Sequence, residues 1–415
     1  MPRIAIDTSA LRASRDLRLL VLGNWVSGLG TQAALVALPF QIYEQTGSAF
    51  LTGLLGAAEL VPLVTLALLG GALADRFDRR MLLLLDQIAL VLCAAGLAAL
   101  AFAPGDPAVV WLFLIGALLA GFGAVQNVAR TAIVPNLVEP EHLRSALALN
   151  FGLFQLTLVV GPAVGGVLIG VAGVGAAYTV DAVSCFAMVG AVLMMAPQPP
   201  HGEAHQTPVA QSIADGLRFV RRNQALMGSF VIDLVAMTFG MPRALFPVLA
   251  VSVYDAGPEG TGLLFAAVSA GATVAALTTA WLERTRRLGL VVIWAVVVWG
   301  AAIALAGLAS SLLIAAVLFA IAGAADSVSA VCRSVINQTV TPDEMRGRMS
   351  SVFSLVVTSG PRLGDVEAGA VAGIAGPRFS VVSGGLACIV GVAAVVVTFP
   401  ALVRYDAERE LSRLP

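Results

Sequence analysis

The sequence predicts an all-α membrane protein of twelve transmembrane helices, arranged as two six-helix bundles related by pseudo-symmetry. Three observations carry that prediction: an apolar composition, twelve long apolar runs, and motifs that recur in the two halves in the same order. Of 415 residues, 59% are hydrophobic and 12% charged, with a mean hydropathy of +0.92. Soluble domains carry about 25% charged residues, so a soluble enzyme and a disordered chain are excluded. The net charge of -1 gives no attraction for a polyanion, and no nucleic-acid partner is expected.

A spanning helix needs about 20 apolar residues. The apolar runs fall roughly at 18–42, 50–74, 81–103, 109–131, 145–170, 174–196, 226–250, 260–282, 288–308, 311–335, 350–373 and 379–399. They define a tail (1–17), a first bundle (18–196), a linker (197–225), a second bundle (226–399) and a second tail (400–415). The polar N-terminus has no cleavage-site pattern and reads as an uncleaved tail. In the linker, Ile213, Leu217 and Val220 share one helical face, which predicts a short amphipathic helix on the membrane surface.

The basic residues set the expected orientation. All 24 are arginine; 21 lie on the side of the termini, one (Arg378) on the other, and Arg243 and Arg362 within spans. Basic loops stay in the cytoplasm, so both termini are expected there. Tyr43, Trp111, Tyr178 and Tyr254 near the outer ends, and Trp281 near an inner one, are expected in an aromatic belt. The four cysteines lie in apolar runs without a CxxC and read as small core residues. All three histidines lie in polar connections. Neither a metal site nor a cofactor is expected.

The repeat is internal evidence for architecture. Arg130 and Pro140 after span 4 match Arg333 and Pro342 after span 10. Gly161-Pro162 and Gly165 on span 5 match Gly360-Pro361 and Gly364 on span 11. Parallel six-span halves are a transporter architecture, with the binding site expected between them near the midplane.

Gly71-Ala-Leu-Ala-Asp75-Arg76-Phe-Asp78-Arg79-Arg80, between spans 2 and 3, resembles the loop signature of the major facilitator superfamily, with Asp78 replacing a glycine. The resemblance covers nearly the whole chain. The Thr46-Gly47-Ser48 turn, DGLRFVRR in the linker and RGRMSSVFS before Gly364-Asp365 resemble the group of enterobactin exporters and macrolide and multidrug efflux carriers. The resemblance implies a gate: Gly71 allows close helix approach, and Asp75 meets the N-terminal end of span 11 when the cytoplasmic side is shut. Arg76, Arg79 and Arg80 extend its charge network. Gly161, Pro162, Gly165 and Gly166 match the superfamily's antiporter motif, a small-residue face bent at Pro162, with Gly262, Ala266 and Ala270 on span 8 as suitable partners. The span-4 arginine of many proton-coupled carriers is absent, since Ala117 stands four residues before Gly121.

Charges inside spans point to mechanism because each is costly in lipid. Glu59, Asp365 and Asp233 are the candidates for proton coupling; Glu59 reads as a buried, protonated carboxyl. Arg243, Arg362, Asp326, Glu367, Gln155 and Gln32 are the candidates for a substrate cavity. Asp86 and Asp181, on outer spans, read as structural acids bonded to neighbouring helices. No ATP-binding or zinc-protease motif is present, and no catalytic residue is expected. The reading is a monomeric secondary exporter of a small organic molecule, a siderophore or an amphiphilic drug, by proton antiport. The alternative is an importer of the same fold.

Overall fold

The computed structural model describes residues 9–74, 76–199, 209–342 and 345–406. All regular structure among them is helical, as hydrocarbon requires of a non-barrel chain that must satisfy its own backbone groups. Spans 1 to 6 are Arg15–Thr46, Ala49–Ala74, Arg79–Phe102, Val109–Ile133, Leu143–Ala172 and Val174–Met194. Span 7 begins at Gln224 and reaches Val253 in pieces. Spans 8 to 12 are Gly257–Thr278, Leu288–Leu308, Leu312–Val340, Arg346–Ala375 and Pro377–Thr398. Eleven of these, among the described residues, are long and apolar enough to cross a membrane. Span 11 is the more polar one, with Arg362, Asp365 and Glu367 on a 30-residue helix.

The chain divides into two compact units. One comprises residues 1–45 and 58–206, the other 46–57 and 207–415. The first turns of span 2 thus belong to the second unit, where Gly53 faces the Gly369 backbone and Gly56 the carbonyl of Arg362.

Each unit is built by the same pairings of small residues. In the first, Gly161 and Gly165 of span 5 press on Gln32 and Ala33 of span 1. In the second, Gly360 and Gly364 of span 11 press on Met237 of span 7. Gly161 and Gly165 of span 5 therefore meet span 1. Gly70 against Val125 joins spans 2 and 4; Gly271 against Ala320 and Gly323 against Val268 join spans 8 and 10. The connections after spans 5 and 11 turn on Gly173 (φ 81°) and Gly376 (φ 91°), a left-handed conformation that glycine adopts without strain.

Pro162 and Pro361 lie within continuous helices. Tyr178 is fully buried and donates from its hydroxyl to Gln41 Oε1 at 2.8 Å, so it is no belt residue. Asp181 accepts from Thr31 Oγ1 at 3.0 Å, as a structural acid would, but Asp86 is buried with neither carboxylate oxygen hydrogen-bonded. The four cysteines are buried and free. The linker helix forms over Val209–Arg222, but Leu217 is exposed while Val220 is buried. Its Gly216 lies against Val352 of span 11, and Asp215 pairs with both Arg218 (2.7 Å) and Arg348 (3.2 Å). A Cβ on Gly71 would meet no atom within 4 Å, so the close approach expected there belongs to its neighbour Gly70. Gly71→Ala should accordingly leave thermal stability in detergent unchanged within about 0.5 kcal/mol. Gly323→Leu, driven into the Val268 backbone, should cost about 1–3 kcal/mol by the same measurement.

Candidate coupling and substrate site

The site begins with a broken helix. Span 7 runs as a helix over Gln224–Phe239 and stops at Gly240. Pro242 has no N–H and forces Met241 out of helical conformation. The chain resumes as a single tight turn, Arg243–Leu245, and then as short helical pieces to Val253. A break at this depth frees backbone groups that lipid cannot satisfy. Two side chains satisfy them. Trp299 of span 9 donates from Nε1 to the Gly240 carbonyl at 2.8 Å. Asp365 of span 11 accepts the Ala244 N–H at 2.9 Å through Oδ1.

Charge gathers around this break. Asp365 is 4% exposed and its other oxygen lies 3.6 Å from Arg362. Arg243, on the turn itself, lies within electrostatic reach of Asp365, Arg362 and Asp326. Asp326 of span 10 is 3.6 Å from Arg333, and Arg333 is in direct contact with Asp233 of span 7. Arg333 and Asp233 are both almost fully buried. Five residues singled out in the sequence (Asp233, Arg243, Asp326, Arg362, Asp365) thus meet in one network of the second unit. Glu367, half-buried two residues beyond Asp365, has no ion pair in it.

The sequence reading missed Arg333, which it counted among the arginines of a loop. Span 10 runs on to Val340 and takes Arg333 inside. The repeat carried the signal, since its counterpart Arg130 is likewise inside a helix and buried. Without these two, 19 arginines remain on the terminal side against one, and the orientation argument is unaffected. Arg130 bonds Asn127 at 3.0 Å and lies over the Phe154 ring at 5.1 Å. At the repeat offset that pairs Arg130 with Arg333, Asp326 corresponds to Gly123, where a Cβ would meet no atom within 4 Å. The second half has therefore added the acid.

In the first unit, Glu59 of span 2 is 7% exposed. Gln32 packs at Gly161, and Gln155 lies half-buried farther along span 5. The basic loop acts as a clamp. Arg79 donates to the Ala132 carbonyl at 2.8 Å and to Asn136 at 3.2 Å, tying it to the end of span 4. Arg80 donates to the carbonyls of Val192 and Leu193, each at 2.8 Å, capping span 6. Asp78 accepts from the N–H groups of Arg80 and Met81, so the residue that departs from the loop signature is the N-cap of span 3. Arg76 is exposed, and Asp75 lies outside the described residues.

Removing one member of a buried ion pair leaves a charge uncompensated, at a cost of about 3–5 kcal/mol. Arg333→Met should lower the melting temperature of purified protein by that much stability. The Arg333→Met, Asp233→Leu double variant should regain most of it, since no buried charge of the pair remains.

Comparison with known proteins agrees with this architecture. The family model described as transmembrane secretion effector matches residues 9–414. Proteins named enterobactin exporter EntS, from Citrobacter koseri and Shigella boydii, are each 28% identical over 93% of this chain and 92% of their own. A POT family transporter in complex with 5-aminolevulinic acid superposes with a TM-score of 0.75 at 12% identity, covering 94% of this chain and 97% of that one. The nucleoside transporter NupG gives 0.71 at 13% identity, covering 93% of this chain and 99% of that one. These two likenesses show the fold. The match over nearly the whole chain, on a helical membrane protein with this repeat, places it in the transmembrane secretion effector family of major facilitator transporters.

Proposed function

We propose that the protein is a secondary active exporter of an anionic organic molecule of the siderophore class, working by alternating access and driven by the proton gradient. Support for export and for the substrate class comes from the relatives named enterobactin exporter, which align over 93% of this chain. The observation that carries the coupling reading is Asp365, a buried carboxylate that holds both an arginine and the main chain of a broken span. A proton on Asp365 removes the charge that binds Arg362 and weakens the Ala244 N–H contact, which is strongest to an ionised acceptor. Span 7 is then held differently in the two protonation states, which is the differential interaction that coupling needs.

Charge counting constrains the order of events. Arg243, Arg333 and Arg362 face Asp233, Asp326 and Asp365. Fully ionised, that cluster is neutral. An anion bound to one of its arginines leaves it at minus one, and an anion with a proton leaves it neutral again. Counted over these six groups alone, a proton and an anion favour each other in one state, so antiport requires the two to bind in different conformations. In this reading Glu59, Gln32 and Gln155 belong to the first unit's share of the path, and Asp75 to the gate.

Two outcomes follow. In everted vesicles supplied with enterobactin, Asp365→Asn should abolish gradient-driven accumulation yet spare downhill exchange, and Asp365→Glu should keep part of the activity. Full gradient-driven transport by an Arg362→Ala, Asp365→Ala variant would reduce the pair to a structural one. The orientation, with cytoplasmic termini in the inner membrane, is checked separately. A periplasmic reporter fused after Gly105 should be active and one fused after Arg80 inactive.

A further inference from the structure

On the outer face of the first unit, spans 1 and 6 leave a groove of about 430 Å³ between them. Its walls are Leu19, Leu22, Val26, Ala187 and Met194. Its floor forms where Gly23 brings the two helices together, since a Cβ there would lie 2.9 Å from that of Ala191. Gly190 also lines it, and a Cβ on Gly190 would meet no atom within 4 Å, so the groove is open there. At one end stand Arg15 and Arg18, both exposed.

Neither arginine has a carboxylate partner among the described residues. The acid between them in sequence, Asp16, is turned to the Ala196 N–H, which it accepts at 3.0 Å. No acidic side chain lines the groove. From Arg15 to Val26 the helix rises about 16 Å at 1.5 Å per residue. That is the depth of one leaflet's hydrocarbon, about half of 30 Å. A cationic head and an apolar trough of leaflet length together match one ligand. A second lipid-facing groove, between spans 9 and 10, is lined by the single arginine Arg287 and by Trp281 and Trp294, so it offers one guanidinium where this one offers two.

We propose that the groove between spans 1 and 6 is a binding site for an anionic phospholipid. Arg15 and Arg18 hold the phosphodiester, and an acyl chain lies along Gly23, Val26 and Gly190. The site is independent of what the protein transports. Guanidinium pairs recognise phosphate oxygens by charge-assisted hydrogen bonds. A zwitterionic lipid offers the same phosphate with a cation beside it, so the preference is for lipids without that cation.

The test is native mass spectrometry of the delipidated protein, titrated with phosphatidylglycerol and with phosphatidylcholine of matched chains. Phosphatidylglycerol should be retained about tenfold more tightly, a preference that the two arginines share. Arg15→Gln, Arg18→Gln should erase the preference, and each single variant should lose part of it. Gly190→Leu, filling the groove, should weaken retention of phosphatidylglycerol without touching either arginine. Arg221→Gln, Arg222→Gln, which removes the same charge from the linker helix, should keep the full preference. Equal retention of the two lipids, a preference that survives the Arg15, Arg18 double variant, a Gly190→Leu variant that binds normally, or displacement of the lipid by equimolar inorganic phosphate would each overturn the site.

Discussion

An interrupted helix inside a membrane has backbone donors and acceptors that neither lipid nor water will satisfy, and each such group left alone costs several kcal/mol. Span 7 is interrupted at Gly240–Pro242, and the second unit is arranged around meeting that requirement. Trp299 supplies the donor to the Gly240 carbonyl and Asp365 the acceptor for the Ala244 N–H. A carboxylate in that position needs a cation nearby, which places Arg362 one turn before it on span 11. Breaking the helix also puts Arg243 on the turn itself, and that guanidinium draws Asp326 into the same field. The charged cluster is thus the consequence of one backbone defect and the means of holding it.

The two halves share their packing and differ in their chemistry. Spans 5 and 11 seat their glycines on spans 1 and 7 in the same way, because close approach between helices in lipid depends on small residues and not on a hydrophobic driving force. Arg130 and Arg333 occupy matching places, yet among the described residues only Arg333 has acids beside it. The first half keeps Gly123 where the second has Asp326, and Gly165-Gly166 where the second has Gly364-Asp365. Repeated helices therefore supply a common scaffold, on which the second half acquires the ionisable groups.

Much of this was legible in the residues. Composition, the lengths of the apolar runs and the offset near 200 residues led to the spans and to the repeat, because lipid permits few alternatives to a 20-residue apolar helix. Intramembrane charge picked out Asp233, Arg243, Asp326, Arg362 and Asp365, which the structure brings together. Three features escaped. Arg333 was counted with the arginines that follow span 10 although it falls inside the run drawn to 335, and the helix continues past it to Val340. The break in span 7 was overlooked although Gly240-Met241-Pro242 spells it, because the apolar run continues through it. Gly71 was credited with a close approach that its neighbour Gly70 makes, since a motif names residue types and not the direction in which a Cα faces.

The central claim is that Asp365 holds the main chain of span 7 across its break. Hydrogen–deuterium exchange of residues 240–246, compared between the wild-type protein and Asp365→Asn in the same detergent or bilayer, reads that contact directly. The account predicts faster exchange at the Ala244 amide in the variant, with the helix Gln224–Phe239 protected as before. Equal protection of Ala244 in both proteins would show that the break is held by something other than Asp365, and would contradict the account.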